Sequence, residues 1–177
     1  MADFMNTYTG KKFSVIHPNK ESIDVVDIAH ALSMLCRGNG HVKHFYSVGQ
    51  HCINCAKLAK ARGYSKEVQF ACLLHDASEA YMADVIRPLK KDLPYYQEIE
   101  HKLLGVIFEK YGILELLEDC RVREIDDVLC HYDLRNLMNV DIEVGYLEYV
   151  PDISYKHPME VEQEYIEIFE ELKGSCL

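Results

Sequence analysis

The sequence predicts an all-α fold, a single compact helical domain over residues 1–177 with about six main helices, and three observations carry that reading. Turn signals such as His17-Pro18-Asn19, Gly38-Asn39-Gly40, Arg62-Gly63 and Tyr111-Gly112 divide the chain into segments long enough for helices. Within those segments apolar residues recur at helical spacing, whereas strand-like alternation is scarce. With 49% hydrophobic and 27% charged residues, the chain can bury a sizeable core and is not a disordered tail.

Taken in order, "KKFSVIH" is the one alternating stretch and predicts a short N-terminal strand or hairpin. The first helix spans 23–36, where Val25, Ile28, Ala29, Leu32 and Leu35 share a face and Asp24 and Asp27 suit the positive end of the helix dipole. Further helices fall at 44–62, 65–81, 93–111, 121–138 and 158–172. Ser65 is placed to cap the third, and Pro158 fits the first turn of the last. In that last helix Ile166, Phe169 and Leu172 form an apolar face that serves either the chain's own core or a second copy in a homodimer.

Charge narrows the function classes. Acidic residues outnumber basic ones 29 to 19, a net charge of -10, which excludes wrapping a long nucleic acid through a general positive field. Any anionic ligand must therefore be gripped locally. The nine histidines point to metal ligation or proton transfer. The cysteines, at 36, 52, 55, 72, 120, 130 and 176, are odd in number and scattered, as reduced thiols of a cytoplasmic protein would be. The first residues lack an apolar signal core, and no stretch approaches the ~18 apolar residues of a membrane span, so no membrane partner is expected.

Chemistry concentrates in "ACLLHDASEAYMADVIRPLKK", where an apolar half-helix runs into His75, Asp76, Glu79 and Asp84. On one helix Glu79 would lie a turn from both His75 and Asp76, an array able to ligate a metal and orient its water. The competing reading is a helix end turning polar as it meets solvent. Upstream, "HFYSVGQHCINCAKLA" places His51 at the front of a helix. Cys52 and Cys55 follow in C-x-x-C spacing, but no second ligand pair and no βαβ context accompany them, so they read as packing residues. In "VREIDDVLCHYDLRNLM" an apolar face is interrupted by Asp126 and Asp127. One of the two must lie near that face, where a carboxylate is costly unless paired or bound to a cation; a surface acidic pair is the alternative.

Together these segments resemble the HD-domain metal-dependent phosphohydrolases, whose pattern is an isolated His, a His-Asp dyad and a distant Asp. "DIAHALSMLCRGNGH", "FYSVGQH", "LLHDASEAYMADVIRPLKK" and "VREIDD" look, in order, like the branch of bacterial 5'-deoxynucleotidases and phage nucleotide phosphohydrolases. The resemblance implies a single HD-type domain with metal ligands His51, His75, Asp76 and Asp126, and acidic helpers Glu79 and Asp84. It also implies a phosphate contact at Arg37.

Such a mixed N/O ligand set suits one divalent transition metal, Mn, Co, Fe, Ni or Zn, which lowers the pKa of bound water towards ~7. Glu79 is then the candidate to orient or deprotonate the water, and Asp84 to protonate the leaving 5'-oxygen or assist the base. Arg37 can hold two phosphate oxygens through its planar fork, and Lys43, Arg87, Lys90 and Lys91 are further local cations, of which Lys90 is assigned to substrate. Phe45, Tyr46, Tyr81 and Tyr132 are aromatic candidates for the base. The expected reaction is deoxynucleoside 5'-monophosphate to deoxynucleoside plus phosphate. Release of triphosphate from a deoxynucleoside triphosphate, or a non-catalytic nucleotide sensor, are the alternatives. One departure stands out: the aromatic residue that follows the arginine in deoxynucleotidases is Gly38 here.

Overall fold

A computed structural model describes residues 4–174 and is helical apart from one small hairpin. Strands β1 (Met5–Asn6) and β2 (Lys12–Phe13) pair antiparallel, the hairpin expected around "KKFSVIH". Thr9 tethers its turn to the first helix, donating from its backbone N–H (2.7 Å) and hydroxyl (2.9 Å) to the Asp27 carboxylate.

Helix α1 (Val25–Met34) starts where the Asp24 side chain accepts from the Val26 N–H at 2.9 Å, and it buries Ile28, Ala29 and Leu32. Helix α2 (Val48–Ala61) is the central element, packed on α1, α3, α7 and α8. Apolar spacing predicts its start at 44. Ser47 instead caps the helix through the Gln50 N–H, and Ser47 is itself extended and bridged to Cys36. At Gly49 an added Cβ would come within 3.2 Å of the α1 backbone at Leu32 and Ser33 and of Val161 in α8 (Pro158–Lys173). That glycine is what lets three helices approach behind the site.

The predicted helix at 65–81 is two elements, α3 (Lys66–Leu74) and a single turn, α4 (Glu79–Met82). The break has a local cause. His75 Nδ1 donates to the Cys72 carbonyl at 2.8 Å, and the chain then tightens into i→i+3 bonds, Ala77 to Leu74 and Glu79 to Asp76. Ser65 sits at the N-cap of α3, yet its side chain makes no capping bond to a backbone N–H.

Beyond it come the short α5 (Arg87–Lys90), then α6 (Pro94–Lys110) and α7 (Cys120–Leu137), the last capped by Asp119 accepting from the Arg121 N–H. Helix α8 opens on Pro158 with a reciprocal cap between His157 and Glu160. Its apolar face is spent on this chain's core: Val161, Tyr165, Phe169 and Leu172 are buried, and the Tyr165 hydroxyl donates to the Leu73 carbonyl at 2.8 Å. One hydrophobic cluster joins residues from the hairpin to α8. Among the described residues no helix is long and apolar enough to cross a membrane, and six cysteines are free thiols; Cys176 lies outside the described residues.

Candidate metal centre

His51, His75, Asp76 and Asp126 come from α2, from the turn after α3 and from α7, and their side chains converge. His51 Nε2 lies 3.1 Å from Asp126 Oδ1; His75 Nε2 lies 3.3 Å from Asp76 Oδ2 and 3.6 Å from Asp126 Oδ1. Donors held about 2.1 Å from one ion at octahedral to tetrahedral angles are themselves about 3.0–3.5 Å apart; two of these separations fall in that range and the third, at 3.6 Å, lies just outside it.

The ring protons point the same way. His51 Nδ1 pairs with Asp133 Oδ2 at 3.0 Å, and His75 Nδ1 with the Cys72 carbonyl, so both rings turn Nε2 inward. Two imidazole nitrogens and two carboxylates then face one another. His75 Nε2 is buried and hydrogen-bonded to nothing, which a cation would correct.

The electrostatics agree. Burial opposes a charge on His75, but Asp76, the Cys55 and Cys52 sulfurs and Asp126 raise its affinity for a proton well above an ordinary histidine's. Burial would raise the Asp76 carboxyl, yet His75 and Arg37 hold it at about 2. Asp126, likewise against burial, is held well below the usual carboxylate range by His51 and His75. Each shift marks a place where positive charge is stabilised.

Cysteines also offer donor atoms here: His51, Cys55 and His75 form one group within ligation range, and Cys52, His75 and Asp76 another. Sequence spacing reads both cysteines as packing because it shows no folded neighbours.

Around the centre, Arg37 is partly buried with Nη1 3.4 Å from Asp76 Oδ2 and Nε 3.5 Å from Asp133 Oδ2, and it faces a cavity of about 460 Å³. That cavity also meets Glu79, Asp84, Arg87, Lys90, Asp126 and Asp133, formally five carboxylates with Asp76 against three cations. A divalent cation would offset the excess of two before any phosphate arrived. Glu79 is buried with Oε2 unpartnered; burial and the nearby Asp76 and Asp84 raise its carboxyl well above the usual range. Asp84 follows Ala83, a non-glycine residue at φ +74, a strained conformation of the kind that clusters at functional sites. Lys90 reaches Glu100 at 2.8 Å and Glu79 at 3.8 Å.

Other predicted groups are engaged by protein partners. Lys43 turns to the Asn136 carbonyl, Arg87 clasps Asp126 and Asp127 at 2.7 Å each, and Tyr81 stacks on Phe13. Among the aromatic candidates Tyr46 lines the cavity, its hydroxyl accepting from Asn54 at 3.0 Å. A neighbouring cavity of about 610 Å³ shares Asp76, Lys90 and Asp126 with it and also meets His75, but its wall carries Glu98, Glu100, Glu118 and Asp119, which outnumber its cations Lys90 and Arg123, and suits an anion poorly.

Asp133 is a site residue that the sequence motifs leave unassigned. It stands seven positions after Asp126 on α7, two turns along the same face, and that spacing is the signal that could have marked it. Asp133→Ala would leave the His51 ring unanchored, and metal affinity should fall roughly 10- to 100-fold, read by competition with a chromogenic chelator.

Gly38 has φ +58, and a Cβ there would lie 2.0 Å from Met138 Cε. A methionine at the end of α7 thus fills the space an aromatic side chain at 38 would need. Gly38→Ala should cost about 1–2 kcal/mol in urea unfolding from backbone conformation alone, with a further steric part that Met138→Ala relieves.

No protein-family model matches the chain. It is 46% identical over 110 residues to the uncharacterized protein YfdR of Escherichia coli, covering 62% of this chain and 59% of YfdR. It is 31% identical over 114 residues to an uncharacterized protein of Rhodobacter capsulatus, covering 62% of this chain and 58% of that one. The chain thus spans less than two thirds of the length of these curated relatives.

Proposed function

We propose that this protein is a cytoplasmic, metal-dependent phosphohydrolase acting on small nucleotides, most simply converting a deoxynucleoside 5'-monophosphate to deoxynucleoside and phosphate. The observation that carries this reading is the convergence of two imidazoles and two carboxylates beside a partly buried arginine at the wall of a ligand-sized cavity. His51, His75, Asp76 and Asp126 would hold one divalent transition metal, which when bound supplies Lewis-acid polarisation and an acidified water.

The chain's own groups perform the rest. Arg37, fixed between Asp76 and Asp133, presents its guanidinium to phosphate oxygens and aligns the phosphorus. Burial, with Asp76 and Asp84 nearby, has raised the Glu79 carboxyl well above the usual carboxylate range, so once ionised it can take the proton of the attacking water. As the water oxygen bonds to phosphorus, the bond to the 5'-oxygen breaks and the proton that Glu79 has taken passes to that oxygen, with Asp84 beside it assisting the base. Lys90 steadies the charge from the cavity wall.

Incubating the protein with deoxynucleoside mono- and triphosphates in Mn²⁺ or Co²⁺ tests the reading. Orthophosphate from monophosphates is the expected product. Inorganic triphosphate would redirect it to triphosphate removal, and binding without turnover to a nucleotide sensor.

A further inference from the structure

Behind the two imidazoles lies a sulfur face. Cys55 is fully buried one turn after His51 on α2, with Sγ 3.4 Å from His51 Nε2, the same nitrogen that faces Asp126. His51, Cys55 and His75 each offer a donor atom within 4.8 Å of the others, and His75 Nε2 is a nine-tenths buried atom with no hydrogen-bond partner. Packing alone asks a buried thiol only for apolar neighbours. Metal bonds of about 2.3 Å to sulfur and 2.0–2.1 Å to nitrogen, at a tetrahedral angle, put the two donors about 3.6 Å apart, close to the separation seen.

We infer that the centre has a second donor set, His51, Cys55 and His75, which takes a thiophilic divalent cation such as Zn²⁺ or Cd²⁺ through a Cys55 thiolate. This rests on the reading that His51 and His75 hold a metal. On coordination a sulfur–metal bond forms and the thiol proton passes to solvent, with no change of oxidation state. A thiolate prefers soft cations, whereas the carboxylates of Asp76 and Asp126 suit harder ones such as Mn²⁺, so the two faces of one site sort metals. A cation drawn to the sulfur face moves away from the cavity that Arg37 lines, and Cd²⁺ should support less turnover than Mn²⁺.

The test is a titration of chelator-stripped protein with Cd²⁺, following bound metal and the ultraviolet sulfur-to-cadmium charge-transfer band together. Wild type should gain the band, saturating at one equivalent; Cys55→Ser should lose it, and Cys52→Ser should keep it. Cadmium bound without the band would overturn the proposal while leaving the imidazole and carboxylate centre intact. A band that persists in Cys55→Ser would assign it to another thiol and overturn the proposal too. Failure to bind either Cd²⁺ or Mn²⁺ would remove the underlying metal reading as well. Should the serine variant not fold, cadmium-113 NMR of the wild type and of Cys52→Ser decides the matter: a shift of sulfur ligation kept in Cys52→Ser supports the proposal, and one lost there, or absent from both, overturns it.

Discussion

His75→Ala should abolish nucleotide hydrolysis, lowering turnover by roughly 10³-fold or more, because the several kcal/mol that a metal contributes to the transition state depend on its ligands. His75 supplies the one buried acceptor in the cluster that no protein group satisfies, so its loss falls on the cation rather than on the fold. Structurally it gives up its hydrogen bond to the Cys72 carbonyl, worth about 1 kcal/mol, and its charge pairing with Asp76 and Asp126. The folded state should therefore survive, with a circular dichroism spectrum like the wild type's. Metal should stabilise only the wild type: at 100 times the dissociation constant it adds about 2.7 kcal/mol, or about 5–10 °C in melting temperature. A His75→Ala protein that hydrolyses nucleotides at the wild-type rate would place the chemistry elsewhere.

Glu79→Gln should lower kcat by about 10²- to 10⁴-fold while leaving metal content and KM near wild type, since Glu79 faces the cavity without joining the four converging atoms. The wild-type rate should fall as pH drops through the Glu79 ionisation, and the variant should lose that limb. Stability should move the other way. Burial with Asp76 and Asp84 raises this carboxyl well above its ordinary 4.5, so as pH rises the unfolded chain releases the proton first. In chelator-treated protein, stability is therefore lost between pH 4.5 and the higher folded value, and glutamine removes that slope. A less active variant that is at least as stable at neutral pH marks a residue kept for chemistry.

The sequence disclosed the helices better than the turns between them. Six long helices follow from apolar spacing because each buries one face in a shared cluster. The break after Leu74 is invisible to periodicity, since it arises from the His75 ring taking a main-chain carbonyl. The same turn carries His75 and Asp76 into the centre, so the continuous helix that suggested the array is not what assembles it. Asp126 is separable from Asp127 only in three dimensions, where one reaches both imidazoles and the other is exposed against Arg87. Asp133, Cys55 and Met138 share a different obscurity. Each acts on a partner far away in sequence or through an atom whose direction spacing does not give: Asp133 on His51, Cys55 Sγ on the inward nitrogen, Met138 over Gly38.

Whether the four converging side chains hold a cation is decided by calorimetric titration of Mn²⁺ into chelator-stripped wild type and into Asp126→Asn. The wild type should bind one ion per chain with proton release from the cluster, and binding by the variant should be weakened beyond detection. Wild-type protein that takes up no Mn²⁺, Co²⁺ or Zn²⁺, or a variant that binds one ion as tightly as the wild type, would rule the metal centre out.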